Sequence, residues 1–101
     1  MQLNAEKSPR VLYIEDDRGL ALLLKKRLER QGFEVDLAVN GEEGLHLFDP
    51  QNHDVIAVDQ NMPGLDGLDV IKTLTSYDPI PPIVMITGNG DERVAVEAMK
   101  L

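Results

Sequence analysis

The stretch VIAVD at residues 55–59 is a continuous apolar run that ends in a single carboxylate. Two further runs of this kind occur in the chain, VLYI at residues 11–14 and IVMI at residues 83–86. Such short runs without polar residues are typical of strands covered on both faces, as in a parallel sheet. Residues 33–39 (FEVDLAV) instead place apolar side chains at every second position, which predicts an edge strand with one face less covered.

Helical patterns lie between these strands. The first helix is expected to end at Gly32 and the second to open at a capping box of Asn40 and Glu43. Asp66 is placed to cap a third helix and Asp91 to start a fourth. The apolar residues predicted to face the core are Leu20, Leu23, Leu24 and Leu28, then Leu68, Ile71 and Leu74, then Val94, Ala95, Ala98 and Met99. The order βαβαβαβα predicts an α/β doubly wound fold.

Composition narrows the function classes. The 101 residues suit one soluble domain, and the chain has no cysteine, which excludes disulfides and Cys-ligated zinc. Its net charge is -8, and its only cationic cluster, residues 25–30, complements the end of the first helix, so no direct nucleic-acid binding is expected. A polar N-terminus and the lack of a long apolar stretch argue against a signal peptide or a membrane partner, and the expected location is the cytoplasm.

Acidic residues follow the predicted strands. Glu15 and Asp16 come directly after the first strand, Asp59 ends the third, and Thr87 follows the fourth. Ligands of open α/β sheets bind at these carboxyl ends, where the strand order reverses. Close carboxylates repel unless a cation intervenes, and Mg²⁺ prefers oxygen ligands of this kind. The combination favours phosphoryl transfer to an aspartate.

Each residue also has an ordinary interpretation. Asp17 is better explained as a helix N-cap than as a ligand, and Asp59 alone would be read as turn chemistry. The histidines His46 and His53 lack metal-ligand spacing and are expected to be solvated. Suitable side chains follow three of the predicted strands, and this repetition favours a functional site over chance.

The sequence resembles the receiver domains of bacterial two-component systems. The resemblance rests on VLYIEDD at residues 11–17, HDVIAVDQNMPGLDG at residues 53–67, PIVMITG at residues 82–88 and AVEAMK at residues 95–100. It implies a flavodoxin-like sheet with the parallel strand order 2-1-3-4-5. It also implies a phosphoacceptor signalling module rather than a turnover enzyme, with a histidine kinase or a histidine phosphotransfer protein as the donor.

The resemblance assigns roles to individual residues. Asp59 would be the phosphoacceptor, and Thr87 the switch hydroxyl that bonds the phosphoryl group. Mg²⁺ would be held by the side chains of Asp16 and Asp59, by the main-chain carbonyl of Asn61 and, through water, by Glu15. Asn61 and Asn89 match positions that modulate the lifetime of the phosphoryl group in the family.

The sequence departs from the family at its end. Receiver domains continue into a fifth strand, with a lysine and an aromatic residue, and a fifth helix, and neither is found in these residues. We therefore expect an extension at residues 1–8 and a receiver domain at residues 9–101 with strand order 2-1-3-4, lacking the fifth strand and helix. The edge of the fourth strand would then be unpaired, which predicts a homodimer through this edge and the fourth helix.

The sequence leaves two alternatives to consider. A phosphorylation-independent interaction module would keep the fold without the chemistry. The missing lysine favours it, whereas the acidic pair Glu15 and Asp16 together with Asp59 oppose it. A haloacid-dehalogenase-like phosphatase also forms an aspartyl phosphate, but it places two aspartates one residue apart after its first strand. The sequence EDDR at residues 15–18 does not fit that pattern.

Overall fold

A computed structural model describes residues 8–60, 67–77 and 80–86, together with the main chain of residues 94–97. The elements in this part of the chain are β1 (Arg10–Ile14), α1 (Arg18–Arg30), β2 (Glu34–Ala38), α2 (Gly41–Leu47), β3 (Val55–Asp59), α3 (Gly67–Leu74), β4 (Ile83–Ile86) and β5 (Val94–Glu97).

The strands form one sheet in the order β2-β1-β3-β4-β5. The first four are parallel, with Val11 opposite both Val35 and Val55, and Ile56 opposite Ile83. This confirms the predicted doubly wound arrangement with strand order 2-1-3-4, and β2 lies at the predicted edge. β2 lies on one side of β1, whereas β3 and β4 lie on the other side, so the strand order reverses between β1 and β3. The crevice that such a reversal creates therefore lies at the carboxyl ends of β1 and β3.

The prediction of a fourth helix is wrong for residues 94–97. Residues Val94–Glu97 form a strand that pairs antiparallel with β4, so Ile83 lies opposite Glu97 and Ile86 opposite Val94. An antiparallel partner needs only a short connection, whereas a parallel one needs a crossover of about a dozen residues. Seven residues separate Ile86 from Val94. The prediction that the edge of β4 is unpaired is therefore wrong as well, and the homodimer through it stays a prediction.

The core has one layer on each face of the sheet. Alternate residues of β1 and β3, such as Leu12 and Ile56, point towards α2 and α3, where Val70 and Leu74 are fully buried. The intervening residues point towards α1 and meet Ala21 there. Because both faces are covered, the strands are continuously apolar, as the sequence indicated.

Two helices bury fewer of the predicted residues. In α1, Ala21 is the buried residue, Leu24 and Leu28 are half-buried, and Leu20 and Leu23 are exposed by 37% and 47%. The predicted buried face is therefore wrong for Leu20 and Leu23, and Ala21 lies in the core.

In α3, Ile71 and Leu74 are buried as predicted, but Leu68 is 51% exposed. Val70 is buried in its place, so the buried face of α3 includes Val70, Ile71 and Leu74.

The helix ends follow the local sequence. Asp17 caps α1 by accepting a hydrogen bond from the Leu20 amide at 3.0 Å. Gly32 ends that helix with a φ of 100°, a conformation that favours glycine. Asn40 caps α2 as predicted, because its side chain accepts a hydrogen bond from the Glu43 amide at 2.7 Å. The Glu43 side chain accepts from the Val39 amide at 2.7 Å, one residue before the position expected of a capping box. The predicted caps Asp66 and Asp91 lie outside the described residues.

Candidate functional site

Three carboxylates meet at the carboxyl edge of the sheet. β1 and β3 are neighbours in register, with Ile14 opposite Val58, so the residues that follow them lie side by side. Carboxylate oxygens of Glu15, Asp16 and Asp59 all lie within 4.8 Å of one another. The parallel pairing predicted from the apolar runs therefore produces the predicted acidic cluster.

The cluster combines buried and accessible ligands. Glu15 is 2% exposed and Asp59 is 6% exposed, whereas Asp16 lies at the surface. Three oxygens this close are near enough for one hard divalent cation to contact them all, and oxygen is the donor such ions prefer. The donor set therefore fits Mg²⁺.

The pKa of Glu15 is shifted by its position in the cluster. Burial, together with the hydrogen bond and charge of Asp59, raises the pKa of Glu15 to about 7. Bonds that Glu15 accepts from the Asp17 amide at 3.2 Å and the Tyr13 hydroxyl at 3.1 Å oppose this shift. Burial and the charge of Glu15 in turn raise the pKa of Tyr13, so its hydroxyl remains a donor. A cation in the cluster would favour the ionised form of Glu15.

Asp17 does not join the cluster. Its side chain caps α1, as predicted, and its main-chain amide donates to Glu15. Of the other residues assigned from the resemblance, Asn61, Thr87 and Asn89 lie outside the described residues. Their roles stay predictions.

An apolar cleft of about 300 Å³ adjoins the acidic cluster. It lies between α1 and the end of β2, and Glu15, Arg18, Leu22 and Val39 contribute to its lining. Leu22 and Val39 are both exposed. An apolar surface therefore lies open to solvent next to Glu15.

A second polar group lies at the opposite, amino edge of the sheet. The buried His53 bonds Asp36 through Nε2 at 2.9 Å, and its Nδ1 accepts the Asp49 amide at 3.0 Å. Arg10 pairs with Asp36 at 3.0 Å and also with Glu34. Partial burial would raise the pKa of Asp36, but the bonds from His53 and Arg10 outweigh it and lower that pKa. The prediction that His53 is solvated is wrong, because its partners come from β2 and the α2–β3 connection.

The sequence also gave no reason to single out Gln60, which directly follows Asp59. Its side-chain oxygen accepts a hydrogen bond from the Leu68 amide at 3.0 Å, at the start of α3. An amide residue beside a charged strand end is a weak signal on its own. The contact joins residues eight positions apart, so only the fold reveals it.

Comparison with known proteins decides the family. A family model described as the response regulator receiver domain matches residues 11–101. The chain belongs to this family. It is therefore a phosphoacceptor signalling module of a two-component system.

The receiver domain resembles longer regulatory proteins in sequence. It is 33% identical over 91 residues to the regulatory protein AtoC of Escherichia coli, covering 90% of the chain and 20% of the relative. It is 39% identical over 88 residues to the transcriptional regulatory protein AfsQ1 of Streptomyces coelicolor, covering 87% of the chain and 39% of the relative. The chain thus spans well under half the length of these relatives.

Solved receiver domains have the same fold. The non-phosphorylated HemR receiver domain of Leptospira biflexa superposes with a TM-score of 0.75 at 30% identity, covering 82% of this chain and 67% of that one. The response regulator TrrA of Thermotoga maritima, solved in complex with Mg²⁺–BeF, gives 0.73 at 35% identity, covering 78% and 69%. In the part of the receiver domain that the structure describes, no helix has the length and apolar character to cross a membrane.

Proposed function

We propose that Asp59 accepts a phosphoryl group from a phosphohistidine, carried by a histidine kinase or a histidine phosphotransfer protein. A carboxylate oxygen of Asp59 attacks the phosphorus while the phosphorus–nitrogen bond to the imidazole breaks. The electron pair of that bond returns to the imidazole nitrogen, which takes up a proton. The product is an aspartyl phosphate. We propose that the protein acts in the cytoplasm.

The observation that carries this proposal is the convergence of Glu15, Asp16 and Asp59 within 4.8 Å. These side chains would hold Mg²⁺, with the main-chain carbonyl of Asn61 as a further ligand by resemblance. Bound Mg²⁺ supplies positive charge that offsets the carboxylates and the phosphoryl oxygens. That TrrA was solved with Mg²⁺–BeF supports this choice of cation.

The protein's own residues orient the acceptor. Asp59 ends β3, which hydrogen-bonded neighbours hold on both sides, so its carboxylate projects from a rigid strand. The Tyr13 hydroxyl and the Asp17 amide hold Glu15 beside it. By resemblance, the Thr87 hydroxyl would bond the transferred phosphoryl group and act as the switch.

The apolar cleft beside the acidic cluster supports docking of the donor. Leu22 and Arg18 of α1 lie at its rim, next to Glu15. A donor that presents a phosphohistidine on an apolar helical surface would bury Leu22 as it reaches Asp59. A small phosphodonor needs no such surface.

The experiment uses acetyl phosphate with and without Mg²⁺, and intact mass as the readout. We expect one phosphoryl group on the wild type with Mg²⁺, none with a chelator, and none on Asp59→Asn. Asp54→Asn is the matched control, because Asp54 is exposed just before the same strand, and it should be labelled normally. Leu22→Ala should slow transfer from a phosphohistidine donor and spare labelling by acetyl phosphate. Labelling that survives Asp59→Asn contradicts the proposal.

A further inference from the structure

Gln60, the residue after the proposed phosphoacceptor, joins three elements. Its main-chain amide donates to the Ile86 carbonyl at 3.0 Å, and its carbonyl accepts from the Gly67 amide at 3.3 Å. Its side-chain Oε1 accepts from the Leu68 amide at 3.0 Å. The end of β3 is thereby tied to the end of β4 and to the start of α3.

The side-chain bond gives α3 a cap from a distant position. The first amides of a helix have no partner within the helix and are usually capped by the residue that precedes it. Here Gln60, eight residues before Leu68, supplies the acceptor. A displacement of α3 is therefore transmitted to Gln60, next to Asp59, and a displacement of Gln60 is transmitted to the start of α3.

Gly67 is matched to this contact. A Cβ atom at position 67 would lie 2.7 Å from Gln60 Oε1, 2.9 Å from Gln60 Cα and 3.1 Å from the Asp59 carbonyl oxygen. Side chains do not tolerate such approaches to main-chain atoms, so glycine is required. The first residue of α3 therefore packs directly on the main chain of Asp59 and Gln60.

The amide also avoids a charge. A glutamate at position 60 would accept the same bond and would suit the positive end of the helix dipole. It would, however, add a negative charge at the residue next to Asp59. Glutamine makes the connection without that charge.

We propose that Gln60 is a positioning residue for the phosphoacceptor: its hydrogen bond to α3 fixes the main chain that carries Asp59. This inference rests on the proposed function of Asp59. It assigns to α3 the role of a support for the acceptor strand.

The test measures the rate of phosphorylation by a fixed concentration of acetyl phosphate at saturating Mg²⁺ and 0.5 M KCl, where added charge is largely screened. Gln60→Met keeps the length of the side chain but removes the acceptor, and we expect the rate to fall about threefold to tenfold. Gln60→Glu restores the acceptor and should return the rate to within about twofold of wild type. Asp49→Ala, which removes turn bonds to Gln51 and Asn52 at the opposite edge of the sheet, is the control for a general loss of stability.

The outcomes separate the inference from its premise. A wild-type protein that is not labelled at all overturns the proposed function, and this inference with it. A labelled wild type with an unchanged rate in Gln60→Met overturns the inference alone. Equal slowing of Gln60→Met and Asp49→Ala, or no rescue by Gln60→Glu, also overturns it, because a general effect on folding would explain both. If Gln60→Met does not fold, Gln60→Asn, whose amide is one methylene short, takes its place with the same expectations.

Discussion

The two edges of the sheet differ in what faces their carboxylates. At the amino edge, Asp36 lies between Arg10 and His53, so a carboxylate faces a cation and a hydrogen-bond donor. At the carboxyl edge, the carboxylates of Glu15, Asp16 and Asp59 face one another. The first arrangement stabilises the fold without any ligand. The second costs stability until a proton or a cation enters, which is the property expected of a binding site.

The largest difference should appear when the buried amino-edge side chain is removed. His53→Ala deletes two hydrogen bonds and a ring stacked on Phe48 at a centroid distance of 5.9 Å. We expect the free energy of unfolding to fall by about 2–4 kcal/mol, while Mg²⁺ affinity remains unchanged. Urea unfolding and a Mg²⁺ titration measure the two quantities. His46→Ala, at an exposed position of α2, should change stability by less than about 0.5 kcal/mol. A loss of Mg²⁺ affinity in His53→Ala would show that the two edges are not independent.

The reverse pattern is expected at the carboxyl edge. Asp16→Asn removes an accessible ligand and should weaken Mg²⁺ binding by about tenfold to a hundredfold, or roughly 1.4–2.8 kcal/mol. The metal-free protein should be as stable as wild type or more stable, because a like charge is gone. Asp17→Asn is the matched neighbour, since asparagine also caps helices well, and its Mg²⁺ affinity should stay within about twofold of wild type. Isothermal titration of both variants decides the ligand assignment. Unchanged affinity in Asp16→Asn would remove that residue from the site.

The two edges should also respond oppositely to pH. The folded-state pKa of Glu15 is about 7 against an ordinary value of 4.5, so the folded protein binds more protons between these values. Without metal, stability should therefore fall by about 2–3 kcal/mol as pH rises from 4.5 to 7. Asp36 has a lowered pKa, so its contribution is present above its ordinary value of 3.8 and is lost as pH falls below it.

Unfolding of the metal-free protein across this pH range measures the effect. Glu15→Gln should remove the decline between pH 4.5 and 7, and saturating Mg²⁺ should reduce it in the wild type. An identical decline in Glu15→Gln would assign it to another group.

The sequence predicted what depends on local pattern. Continuous apolar runs predicted the parallel strands, because a strand covered on both faces has no polar position. The neighbouring strand ends then placed Glu15 and Asp16 beside Asp59. Asp17, Asn40 and Gly32 were predicted as helix ends because capping depends on residues within a few positions.

What failed depends on contacts distant in sequence. The burial of His53 depends on Asp36, seventeen positions away, and no local pattern carries that information. Residues 94–97 (VAVE) contain two valines and one alanine, which fit either a helix or a strand, and pairing with β4 decides between them. Leu68 has a helical spacing that suits the core, but in the fold Val70, Ile71 and Leu74 form the buried face of α3 and Leu68 is exposed.

The role of Asp59 as phosphoacceptor is tested most directly by locating the modified residue. The wild-type protein is incubated with acetyl phosphate and Mg²⁺, the acyl phosphate is trapped by reduction, and the peptides are sequenced by mass spectrometry. We expect a single modified residue, Asp59, and none in a sample treated with a chelator. Modification at Glu15, Asp16 or Asp54 in place of Asp59, or labelling that does not depend on Mg²⁺, would contradict it.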